Sequence, residues 1–261
     1  MNKKLILWYL NGLHIGGSEH YCQLMMKYLR QIDKSNEFVY AVITPGNGDM
    51  TRRELFEKIL GNKLILFGSI HEFHYIIRQI KPFVLQRITA GIPEFPFIPE
   101  IKQYCKHFIQ TSVFGHIDES IQLSRVIYVC RWMQQMVNRI STQNHFFIRN
   151  PIEEPYTLEN YRKAFDIDDD IFVFGHIGRP DNATYSNLNL RAYSNIETDK
   201  TCFILFGVDE LARKTLDSLN IKNYRLIHKT VDPIAISKFY NTINVLAHSR
   251  SDGEVCPAVI I

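Results

Sequence analysis

Short apolar runs alternate along this chain with segments of helical period, and that alternation constrains the fold more than any other feature. "LILWYL" (5–10) reads as a buried strand, and "SEHYCQLMMKYLRQI" (18–32) as a helix with Ser18 as its N-cap. Strands follow at 38–44, 64–67, 83–88, 107–114, 125–130 and 145–150, with helices around 51–60, 70–80 and up to about 140. After "PIEEPYT" a second series begins. It has strands at 171–178, 202–207, 224–229 and 244–249, and helices near 187–196, 209–219 and 233–243. Strand-helix alternation predicts parallel strands joined by crossovers, a doubly wound α/β fold. Two such series predict two domains, 1–150 and 151–261, facing each other across a cleft.

Composition removes several function classes. With 46% hydrophobic and 22% charged residues, the chain has the make-up of a globular protein with a real core. No apolar run approaches the ~20 residues of a membrane span. The opening "MNKKLILWYL" is too short, and broken too early by Asn11 and Gly12, to read as a signal peptide. Five scattered cysteines give no disulfide framework or zinc knuckle, which points to a reducing cytoplasm. Residues 1–150 carry 18 Lys and Arg against 11 Asp and Glu, a net +7. Residues 151–261 carry 12 against 16, a net −4. The basic residues form no run, which disfavours nucleic acid and leaves an ordinary solvated surface as the default, beside an anionic small molecule or a membrane surface. His71 and His74 in "HEFH" have metal-like spacing but no third ligand. "NAT" (182–184) is a glycosylation sequon without meaning in a cytosolic chain.

In open α/β sheets, ligands bind at the carboxyl ends of strands where the strand order reverses. In the second domain an order beginning 3-2-1-4 puts that point between its first and fourth strands. The loops there are "GRPDNATYSN" (178–187) and "RSDGEVCP" (250–257), so Arg179 and Glu254 are expected at one crevice. A guanidinium suits phosphate oxygens, and a carboxylate suits sugar hydroxyls. In the first domain, Gly16 and Gly17 in "NGLHIGGSEH" allow close backbone approach ahead of a helix N-terminus. This is neither a P-loop nor the dinucleotide fingerprint, so a dehydrogenase is disfavoured.

"GLHIGGSEHYCQLMMKYL" resembles the "GG-small-E" opening of family 4 glycosyltransferases, which have the GT-B fold of two Rossmann-like domains. "FFIRNPIEE" resembles that family's entry into its second domain, and "FVFGHIGRPDNATYSNL" its glycine-arginine loop. "KFYNTINVLAHSRSDGEVCPAVII" resembles its donor-site stretch, which carries one glutamate seven residues ahead of another. The resemblance runs through the whole chain in order. It implies sugar transfer from a nucleotide-diphosphate donor to a glycan or lipid-linked acceptor, with retention, in polysaccharide biosynthesis. No metal or other cofactor is implied. The first domain takes the acceptor and the second the donor.

By the same resemblance Arg179 holds the diphosphate. Glu254, with the backbone of Val255, Cys256 and Pro257, holds the donor sugar or phosphate, and Gly16 and Gly17 close on the donor from the other domain. The family commonly has a lysine five residues after the arginine, where this chain has Thr184. Its cleft histidine has two candidates here, His116 in "TSVFGHID" and His14. The second glutamate would follow Ile261, so the chain is expected to be C-terminally incomplete, its second domain truncated and inactive by itself. The alternatives are a non-catalytic homologue that binds a nucleotide sugar or a partner, and an epimerase or hydrolase on the same fold. The expected location is cytoplasmic, peripheral to a membrane through the basic first domain.

Overall fold

The computed structural model describes residues 3–89, 96–113, 115–138, 145–179, 181–182 and 185–250. The chain divides into two compact units, the first running through Ile152 and the second starting at Glu153. In the first unit, β1 (Lys4–Tyr9), α1 (Gly17–Ile32), β2 (Phe38–Pro45), α2 (Arg53–Leu60), β3 (Leu64–Phe67), α3 (Ile70–Ile80) and β4 (Val84–Thr89) follow in turn. After them come β5 (His107–Ser112), β6 (Arg125–Tyr128), α4 (Arg131–Asn138) and β7 (His145–Phe147). The sheet is parallel throughout, in the order β3-β2-β1-β4-β5-β6-β7. β1 pairs with β2 on one side (Trp8 opposite Val42) and with β4 on the other (Leu7 opposite Leu85). The order therefore reverses at β1 and β4.

Local chemistry sets the helix ends. Ser69 caps α3, its Oγ accepting from Glu72 N at 3.2 Å, while the Glu72 carboxylate accepts from Gly68 N at 2.7 Å. The apolar side chains of α3 recur every three or four residues and bury Phe73 and Ile77. α1 departs from expectation. Its N-cap is Gly16, in extended conformation and without a side-chain cap bond, and Ser18 lies inside the first turn. The core of this unit contains a cluster of aromatic rings among aliphatic side chains. Tyr9 meets Phe97 edge-on at 4.8 Å, and Phe67 and Phe73 lie 5.2 Å apart. Contacts of this kind add about 0.5–1.5 kcal/mol each beyond area burial.

The second unit contains β8 (Phe172–Ile177), α5 (Leu188–Tyr193), β9 (Thr201–Phe206), α6 (Asp209–Ser218), β10 (Tyr224–Ile227), α7 (Pro233–Thr242) and β11 (Val245–Leu246). Its sheet is parallel, in the order β10-β9-β8-β11. This is the expected 3-2-1-4 order, with its reversal between β8 and β11. Asp232 caps α7, and Pro233 opens it. Asn244 then fixes the register of β11: its N donates to Val173 O at 2.8 Å, and its Oδ1 accepts from Val173 N at 2.8 Å. A separate core packs Phe203, Tyr193 and Leu205 with Leu190 and Leu216.

Candidate functional site

The reversal point of the second sheet is stitched together by polar contacts. Tyr185, in the loop after β8, forms an antiparallel bridge with Arg250, in the segment after β11. Ser249 Oγ donates to Ser186 O at 2.6 Å, and Asn189 Nδ2 donates to Ala247 O at 3.0 Å. The two loops that the topology brings together are thus bound side by side. Arg179 stands on the same edge, half-exposed, its guanidinium 3.6 Å from the Asp181 carboxylate. Glu254, Val255, Cys256, Pro257 and Thr184 lie outside the described residues.

Two histidines and a tyrosine, which the sequence reading did not pick out, occupy this point. The rings of His176 and His248 stack at 5.4 Å and 10°, and Tyr185 meets His176 edge-on at 5.3 Å. His176 Nδ1 and the Tyr185 hydroxyl are buried without a hydrogen-bond partner among the described residues. Burial, and then the neighbouring His248, lower the pKa of His176 to about 4. Burial, and then Arg250, lower that of His248. Both imidazoles are therefore neutral at pH 7. His176 sits inside an apolar strand, where sequence alone gives a core histidine.

The backbone beneath Arg179 is shaped by Gly207, at φ +84°. A Cβ there would fall 2.5 Å from Gly178 O. Only glycine admits this approach without displacing the loop that carries Arg179.

In the first unit, the loop after β1 is hooked to the loop after β2. Leu13 N donates to Asp49 O at 3.0 Å, and Arg52 N donates to Leu13 O at 2.9 Å. His14 pairs with Asp49 at 3.5 Å, both partly exposed. Arg52 is buried beside the start of α1, bonded to Gln23 Oε1 at 2.8 Å. Burial brings its pKa down to about 10, against the opposing charge of Glu19. The glutamate of "GGSE" thus has an electrostatic task behind the loop. A Cβ on Gly17 would meet no atom within 4 Å, so this backbone is open to approach.

His116 is exposed after β5, and its carbonyl accepts from Gln110 Nε2 at 2.7 Å and Ser112 Oγ at 2.9 Å. Gln110 also accepts from Arg87, which forms a buried 2.7 Å pair with Asp118. His14 and His116 thus both lie at the carboxyl edge of this sheet, on separate loops. Nothing among the described contacts joins them to each other.

No protein-family model and no curated protein matches the chain. Solved structures do. The HepE protein of Anabaena, in complex with UDP and glucose, superposes with a TM-score of 0.67 at 12% identity, over 96% of this chain and 75% of that one. The fold is GT-B. A glycosyltransferase from Rickettsia africae gives 0.63 at 15% identity, over 94% of this chain and 73% of that one. A Listeria monocytogenes protein assigned as a UDP-N-acetylglucosamine 2-epimerase gives 0.56 at 9%, over 94% and 74%. The GT-B architecture thus serves both transferases and an epimerase among these neighbours, and the site must decide between them.

Proposed function

We propose that this GT-B chain moves a sugar from a nucleotide-diphosphate donor to a glycan or lipid-linked acceptor, with retention at the anomeric carbon. The observation that carries the reading is the Tyr185–Arg250 bridge, which joins the two loops at the reversal point of the second sheet. Two guanidinium-bearing residues, Arg179 and Arg250, belong to the loops at that edge. Breaking a sugar–phosphate bond builds negative charge on the leaving diphosphate, and fixed positive charge stabilises it most where it is already in place. A structural neighbour solved with UDP and glucose supports a nucleotide sugar as the ligand. In this reading Arg179 binds the diphosphate, and Glu254 with the backbone of residues 255–257 orients the donor sugar. The nucleotide sugar enters as substrate, with no resident cofactor. The work is cytoplasmic, with the basic first unit turned to a membrane-linked acceptor.

The epimerase-like neighbour keeps a second reading in view, in which the same site opens the sugar–phosphate bond without an acceptor. Products separate the two. The full-length protein should release UDP from UDP-glucose much faster when a glycan acceptor is added, and form a new glycoside. UDP release at one rate with and without acceptor, and no new glycoside, would exclude transfer.

A further inference from the structure

The carboxyl ends of β1, β2 and β3 border an open pocket of about 220 Å³ in the first unit, on the side of the β2 loop that carries Asn47. Its floor is Tyr9, Phe67 and Pro96, all buried, and its rim includes Asn47, Ser69 and Ile70, all exposed. The floor is firm. Tyr9 packs edge-on against Phe97 and Phe73, at 4.8 and 5.6 Å. Ile70, 44% exposed, stands as an apolar lip with no described role in the core.

Charge narrows what fits. No lysine or arginine is among the described residues that line the pocket. α3 begins at its rim, but the polar groups there are already engaged. Ser69 Oγ takes Glu72 N, and the Glu72 carboxylate takes Gly68 N. That carboxylate places negative charge where an anion would have to approach. A phosphate or carboxylate ligand is thus disfavoured twice, by the absent cation and by the present anion. Size narrows it further. The volume lies below the ~300–1,000 Å³ of pockets for drug-sized ligands, which leaves room for a single ring. An apolar aromatic floor with an amide and a hydroxyl at the rim suits a ring with one apolar face and hydroxyls at its edge. Asn47 offers both donor and acceptor, and Ser69, which accepts from Glu72 N, still has a proton to donate.

We propose that this pocket holds an uncharged pyranose ring of the acceptor. The assignment rests on the glycosyl-transfer reading and adds to it that the acceptor's recognised end carries neither phosphate nor carboxylate.

The test uses the full chain and ligand-observed NMR with three probes: methyl α-D-glucopyranoside, methyl α-D-glucuronoside and UDP-glucose. The neutral glycoside should bind at millimolar concentration, at least tenfold more tightly than the uronide. Asn47→Ala and Ile70→Ala alter exposed positions and leave the core intact. Each should weaken the neutral glycoside about fivefold or more and leave UDP-glucose affinity unchanged. Equal affinity for glycoside and uronide, unchanged glycoside binding in both variants, or no glycoside binding would each overturn the assignment. UDP-glucose separates the two claims. If UDP-glucose binds and the glycoside does not, the pocket assignment alone fails. If the glycoside binds with the expected variant losses and UDP-glucose does not, the pocket stands and the donor reading fails.

Discussion

His176 ties the stability of the second unit to pH. Its pKa is about 4 in the folded chain against an ordinary 6.5, so the unfolded state binds more protons between those values. The stabilisation from the neutral ring is complete above about pH 6.5 and drains away as the pH falls towards 4. The shift corresponds to about 3 kcal/mol at the acid end. Urea midpoints at pH 7.5 and pH 5 should differ, and His176→Leu should narrow the gap. An unchanged gap would mean that the acid sensitivity lies elsewhere. Arg179 is the residue to test for the diphosphate. Arg179→Ala should weaken UDP-glucose binding by at least tenfold and uridine binding much less, measured by calorimetry. Equal losses for both ligands would count against a phosphate role.

At the scale of elements, most of this fold was legible in sequence. Most strands are largely apolar runs of four to eight residues and the helices keep a regular period, because each buries one face or both against the core of its own unit. What sequence could not give was decided by three-dimensional contacts. The start of α1 depends on the backbone of Gly16 rather than on the hydroxyl of Ser18. β11 has only two paired residues and is held by Asn244, an interaction between residues 71 apart in sequence. The loop positions of Arg179 and Arg250 followed from strand order. The His176–His248 stack did not, since neither residue has a distinctive neighbour in sequence. Gly207, at the end of β9, illustrates the same limit. Gly207→Ala should cost about 2 kcal/mol or more, from the positive φ and the contact with Gly178 O. It should also weaken UDP-glucose binding by moving the Arg179 loop. A thermal midpoint within 1–2 °C of the parent, where about 1 kcal/mol moves it by ~2–4 °C in a chain of this size, would contradict this reasoning.

The described residues form two separate cores, one in each unit. If the donor binds the second, nucleotide should stabilise that unit first. At a hundred times its Kd, UDP would add about 2.7 kcal/mol. Hydrogen exchange should slow in residues 172–190 and 245–250 more than in β1–β4. Uniform slowing across both units would point to a different binding mode. Charge divides along the same line, with a net +7 in residues 1–150 and −4 in 151–261. No described helix is long and apolar enough to cross a membrane. Contact with a bilayer would therefore rest on surface attraction, worth about 1 kcal/mol per basic residue near an anionic surface. Sedimentation with phosphatidylserine vesicles should exceed that with phosphatidylcholine vesicles, and the difference should vanish at high salt. Equal sedimentation with both would remove the membrane contact.

The bridge between Tyr185 and Arg250 also orders events during synthesis. The two residues are 65 positions apart. At ~5–20 residues per second, the ribosome takes about 3–13 s to make the second partner after the first. Strands β8, β9 and β10 can pair as soon as Ile227 has emerged, but the far edge of β8 waits for Val245 and Leu246. During that interval the nascent chain presents an unpaired strand carrying Phe172 and Phe174, the kind of edge that recruits other chains. The reversal point is therefore among the last parts of the second sheet to form. Any pause in translation between codons 185 and 250 prolongs the exposure of the strand from which the loop of Arg179 departs.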